Sequence, residues 1–260
     1  MQGAGPVIKP PFDANLLEYL WKMSKRKRGP AVLTGSDLSG HGEHNRCWRY
    51  LRSIQHLRTS RFNRHYDAFY EDDGEEGALE HDGGDYLPPK GWCKFGLEVN
   101  GGLKEHWGIS YHGTTQENLA DIVTTGELRA PGEQTSRGRV ERRSGHRQWD
   151  EPYIFTSITP RYASLYAKPV YYNGFYYQTV LMLRQNRTLA EPIGNTKPDL
   201  WGLDIRLDAN VSNSKLGYYT KYEDSLQLYA VLVKEHTFHP HDSDLGDLAK
   251  HKRKRLRQEA

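Results

Sequence analysis

The stretch YHGTTQENLADIVTTG, residues 111–126, changes from one kind of local order to another at a histidine. Before it, Trp107-Gly-Ile-Ser-Tyr-His112 alternates, with Trp107, Ile109 and Tyr111 on one side, which reads as a strand. After it, Thr114 with Glu117 three residues on has the chemistry of a capping box. Leu119, Ile122 and Val123 then share one helical face, and Gly126 supplies a helix stop. His112 therefore sits at the corner between a strand and a helix.

Working outward, Tyr153–Ser157 reads as a second strand, and Thr159-Pro160 reads as an N-cap followed by proline at the first helical position. Tyr162 and Tyr166, four apart, fall on one face of that helix. Asn173-Gly174 between Val170–Tyr172 and Phe175–Arg184 is a two-residue hairpin signal. Leu226–Val233 is apolar on both faces and suits a central strand. A hairpin among alternating strands and helices argues for an α+β fold rather than an all-parallel sheet.

The chain has 260 residues, of which 36% are apolar and 17 are tyrosine, so much of the core must be aromatic rings with polar tips. No apolar run is long enough for a membrane-spanning helix, and the opening MQGAGPVIKPPFD lacks the apolar core of a signal peptide. Two cysteines, Cys47 and Cys93, offer no disulfide framework, which makes the nucleus or cytoplasm the expected location. Net charge is +3, but six of the 36 Lys/Arg lie in residues 250–257, KHKRKRLR; the remaining 30 against 33 acids leave −3. That basic tail and SKRKRG at 24–29 read as nuclear-import or nucleic-acid contacts, or as solvated runs without a partner. The acidic, glycine-rich 71–87 reads as a linker. It divides a partly helical segment, 1–70, from a folded region, 88–240, with a basic tail at 241–260. His41, His44 and Cys47 have ligand-like spacing and His236, His239 and His241 cluster. A structural zinc usually takes four ligands in tight local pairs, so no metal site is expected.

His112-Gly113-Thr114, then Asn118, Ile122 and Gly126, and finally Leu128-Arg129, resemble the catalytic domains of poly(ADP-ribose) polymerases. Those domains carry a His-Gly-Ser corner with Asn, Ile and Gly at the same offsets. Phe155 and Tyr166, eleven apart, match a second block in which the family has a tyrosine at each end. The resemblance covers roughly 90–235 and is most specific at 111–129. It implies split antiparallel sheets with short flanking helices around a cleft for NAD as co-substrate. It also implies a glycosyltransferase-class reaction that releases nicotinamide. In that reading the peptide groups of Gly113 hold the carboxamide, His112 orients a ribose hydroxyl, and Thr114 also touches the amide. Tyr166 stacks on the nicotinamide, with Phe155 and Tyr162 beside it, and Arg129 meets the adenosine ribose or the pyrophosphate.

The chain departs from the family at two places. Phe155 lacks the hydroxyl of the family tyrosine unless the register slips to Tyr153. The family glutamate would fall near Leu216–Tyr218, where there is no acid; the nearest is Glu223, either displaced into the catalytic role or a turn residue. The resemblance thus implies mono-ADP-ribosyl transfer to a protein or nucleic-acid acceptor, or an inactive binding module of the same fold. A separate possibility is a nucleic-acid-binding protein acting through 250–257 and the Arg-rich 137–147.

Overall fold

The computed structural model describes residues 31–72, 79, 84–130, 153–195 and 211–240. The apolar piece Leu16–Met23, both basic runs, the Arg-rich 137–147 and most of the acidic stretch lie outside the described residues.

The chain is mixed α+β, dominated by antiparallel strands. In chain order these are β1 (Val32–Thr34), β2 (Ala68–Tyr70), β3 (Cys93–Gly96), β4 (Gly108–Gly113), β5 (Ile154–Ser157), β6 (Val170–Tyr172), β7 (Phe175–Gln185), β8 (Glu191–Pro192), β9 (Gly217–Thr220) and β10 (Leu226–His236). Their spatial order is β1-β2-β3-β10-β7-β4-β5-β9-β8, with β6 paired to β7 outside that path. Three helices of this chain matter for the site: α1 (Gly42–Ser53), α2 (Gln116–Thr125) and α3 (Pro160–Ser164).

The two-sided apolar pattern of β10 follows from its place between β3 and β7. On one face Val231 and Val233 join Leu181 and Leu183 of β7 under Cys47, Tyr50 and Leu51 of α1 and Leu119 and Val123 of α2. On the other face Ala230 and Leu232 join Val180 and Met182, Ile109 and Tyr111 of β4, and Ala163 of α3. Each of these aliphatic side chains, fully buried, contributes about 1.5–3 kcal/mol. Residues 31–70 belong to this same sheet and core, through β1, β2 and α1.

The β6–β7 turn has Asn173 at φ 48 and Gly174 at φ 92, the two positive values that a type I′ hairpin requires. α3 begins as its sequence suggests: Thr159 Oγ1 accepts from the Tyr162 N–H at 2.9 Å, with Pro160 at the first turn. α2 ends on Gly126 in the left-handed region, at φ 81. Its start corrects one expectation. The N-cap is Thr115 rather than Thr114, and Thr115 Oγ1 accepts from the Asn118 N–H, so Glu117 is not the reciprocal partner of a capping box at Thr114. The reason is that β4 runs one residue further than its alternation suggests, through Gly113, and leaves Thr114 buried between strand and helix.

Where two split sheets are expected, the strands form one path with a narrow join. Among the described residues, β4 and β5 share the single register pair Tyr111↔Ser157. By contrast, β4 pairs with β7 along six residues and β5 with β9 along four. The sheet therefore forks between β4 and β5 just past Tyr111, at the histidine corner. Among the described residues no helix is long and apolar enough to cross a membrane.

Candidate functional site

His112 stands in the fork. It lies opposite Leu181 of β7, so its ring rises on the face covered by α1 and α2. Its Nδ1 is 2.7 Å from the carbonyl oxygen of Phe155 on β5. A carbonyl only accepts, so Nδ1 carries the proton and donates. The side chain thus makes the bond between β4 and β5 that the ladder no longer makes. Burial lowers the pKa of His112, and the Phe155 carbonyl only partly offsets it. The ring is neutral at physiological pH, and its Nε2 keeps a lone pair for a donor such as a hydroxyl.

Gly113 lies opposite Val180, on the α3 face. A Cβ there would sit 1.9 Å from the Ala163 carbonyl oxygen, with Ala167 N at 3.1 Å. The missing side chain makes room for the end of α3 against the strand. That space is filled by backbone, so the peptide groups of Gly113, and not its missing side chain, are the candidate ligand contacts.

α3 and the turn after it carry the two tyrosines. Helical geometry stops at Ser164, so Tyr166 lies in a following turn, its N–H donating to Ala163 O at 3.0 Å. The pair still meets: the hydroxyls are 3.2 Å apart and the rings make an edge contact at 5.7 Å. Tyr162 is buried with Leu87, Ile158 and Leu216, while Tyr166 is half-buried at the edge of that cluster. The Tyr162 hydroxyl also donates to Asn195 Oδ1 at 3.0 Å. No motif in the sequence singles out Asn195 or Ala163; both are brought in by tertiary folding.

Phe155 is half-buried on β5, directly across from Tyr219 of β9. Tyr153, the alternative for the missing hydroxyl, sets its ring edge-on to Tyr219 at 4.8 Å. Tyr218 faces Thr156 on β5 with the Arg187 guanidinium 4.4 Å from its ring centroid, and Leu216 is fully buried; the stretch Leu216–Tyr218 holds no acid.

Glu223 follows β9 in a short 3-10 turn, Glu223–Ser225. Its Oε1 accepts from the Ala130 N–H at 3.1 Å, which fastens the segment after α2 to the β9–β10 turn. Arg129, next to Ala130, reaches Glu127 Oε2 at 3.4 Å. Three groupings result: His112 and Phe155 joined at the fork, Gly113 against α3 with Tyr162 and, in the turn after it, Tyr166, and Glu223 with the Arg129-Ala130 segment.

No family model matches this sequence, and no curated protein matches it.

Proposed function

We propose that this chain is an ADP-ribosyltransferase-like protein that binds NAD at the β4–β5 fork and transfers one ADP-ribosyl group to a protein or nucleic-acid acceptor, releasing nicotinamide. The observation that carries this reading is the state of His112. With Nδ1–H given to Phe155 O, the ring is fixed in one orientation and one tautomer, and Nε2 can only accept. A ribose hydroxyl is a donor of the right kind. The end of β4 supplies the peptide groups of Gly113 for a carboxamide, and Tyr166, after α3, would supply the aromatic face for the nicotinamide ring. Holding the sugar and the leaving group in a fixed relation lowers the barrier to an oxocarbenium-like state by positioning.

One observation favours a second reading. The Glu223 carboxylate is engaged with the Ala130 N–H, a structural task. A fork that holds NAD or ADP-ribose without a catalytic acid is a binding module. The location expected for either is the nucleus or cytoplasm, with residues 250–257 as a possible nucleic-acid contact.

The two readings separate on labelled NAD, incubated with the protein alone and with cell lysate, beside His112→Ala and Glu223→Gln. Transfer lost in both variants supports a transferase using Glu223. Transfer lost only in His112→Ala supports a transferase whose acid is elsewhere or dispensable. No transfer with retained binding of an NAD analogue supports the binding module. Neither transfer nor binding removes both readings.

A further inference from the structure

Away from the fork, α1 and β3 bring three metal-ligating side chains together. Glu43 and Cys47 are four apart on α1 and therefore share one helical face. Cys93 opens β3, across the acidic stretch and 46 residues further along the chain than Cys47. The Glu43 carboxylate and the two thiols all lie within 4.8 Å of one another. Both cysteines are free and fully buried, while Glu43 is half-buried, so the cluster is closed on its sulfur side and reached from solvent on its oxygen side.

We propose that Glu43, Cys47 and Cys93 form a site for one thiophilic divalent ion of the zinc class, which clamps α1 onto β3. Tetrahedral zinc with sulfur ligands at about 2.3 Å sets neighbouring ligand atoms about 3.8 Å apart, a contraction of about 1 Å from the observed upper bound. Two sulfurs and one carboxylate oxygen suit zinc rather than magnesium or calcium, which take all-oxygen shells. Three protein ligands leave one position, which faces the half-exposed side and takes water. Loading displaces the two thiol protons to solvent, and no electron moves. Two thiolates, a carboxylate and the ion sum to one negative charge; nearby Glu235 adds a second, and Arg46 and Lys234, both within electrostatic reach of Glu43, offset the two.

The surroundings also define which groups are not ligands. Both oxygens of Glu235 are engaged: Arg46 donates to Oε1 and Oε2 from Nε and Nη2 at 2.8–3.1 Å, and the Tyr177 hydroxyl donates to Oε2 at 2.9 Å. His41 Nδ1 accepts from the His44 N–H at 3.2 Å as the N-cap of α1. The His44 ring stacks on Phe95 with centroids 4.7 Å apart, and its Nε2 lies 3.5 Å from Asp67. The local spacing of His41, His44 and Cys47 therefore does not describe the cluster; Cys47 finds its partners one turn back on its own helix and across on the sheet.

This proposal shares no residue with the NAD reading and stands or falls separately. The test uses the full chain, purified with both thiols reduced, and Cd2+ as the probe. The expected result is one Cd2+ per chain with an ultraviolet charge-transfer band of two thiolates, displaced by Zn2+. Cys47→Ser and Cys93→Ser each lose the band, and Glu43→Gln, at a half-exposed position that leaves the core intact, weakens binding by about tenfold or more. His41→Ala leaves binding unchanged. A folded, reduced wild-type chain that shows no band overturns the proposal. So does Glu43→Gln binding as tightly as wild type.

Discussion

His112 Nδ1 and the Phe155 carbonyl oxygen are 2.7 Å apart, across the point where β4 and β5 part. This bond explains why a histidine stands at the corner. One nitrogen closes the fork, and the other remains an acceptor. Serine and asparagine also carry a donor and an acceptor, but an imidazole sets the two on opposite sides of one rigid ring.

Acidification should weaken the folded state through this residue. The unfolded chain takes up a proton on His112 near the ordinary value of 6.5, whereas the folded chain, with its pKa lowered by burial, resists doing so. The contribution is therefore fully present above about pH 6.5 and declines as the pH falls from there through the folded value. His112→Gln, whose amide can still donate to Phe155 O, does not titrate. Urea midpoints at pH 7.5 and 5.5 should fall more for wild type than for His112→Gln; equal falls would show that His112 is not held neutral.

Gly113→Ala should destabilise the chain by about 2–3 kcal/mol, the cost of forcing a methyl group against packed neighbours. The added Cβ meets the Ala163 carbonyl, which belongs to backbone and cannot rotate away. Chemical denaturation of the two proteins measures it, and a change under about 0.5 kcal/mol would mean that α3 does not sit against the strand in this way.

Glu223 separates a structural from a catalytic duty. Glu223→Gln keeps an oxygen for the Ala130 N–H and should leave stability within about 0.5 kcal/mol. Glu223→Ala leaves that N–H without its acceptor and should cost about 1–2 kcal/mol. Thermal or urea unfolding of both variants checks this; equal stability of all three proteins would dismiss the clamp.

Tyr162→Phe removes the hydroxyl that meets Tyr166 and Asn195 while keeping the buried ring. A loss of about 1–2 kcal/mol is expected. If the fork holds NAD, affinity for an NAD analogue should also fall, because Tyr166 loses the contact that orients its ring. Unchanged stability would place the hydroxyl in solvent.

The parts of this architecture that can be read in the sequence are those written in contiguous residues. Asn173-Gly174 specifies its hairpin because few other pairs adopt two positive φ values readily, and Thr159-Pro160 specifies a helix start. Leu226–Val233 reads as central because both faces are apolar, and the sheet uses both. Thr114 and Thr115 are equivalent by composition, and the choice between them was made by how far β4 runs. Contacts that depend on distant segments left no local trace. Ala163 against Gly113, Asn195 against Tyr162 and Cys93 against Cys47 each join residues that no spacing rule connects. The positions of β1, β2 and α1 in the main core are of the same kind, since the acidic stretch between them and β3 reads as a boundary.

The central claim is that His112 Nε2 receives a ribose hydroxyl of NAD at the fork. The most direct test is calorimetric titration of a non-hydrolysable NAD analogue into wild type and His112→Ala, with circular dichroism confirming that both are folded. The expected result is saturable one-to-one binding to wild type and binding at least about tenfold weaker in the variant, the loss of one well-placed hydrogen bond and of the fork's closure. No binding to wild type, or equal binding to both, would contradict it.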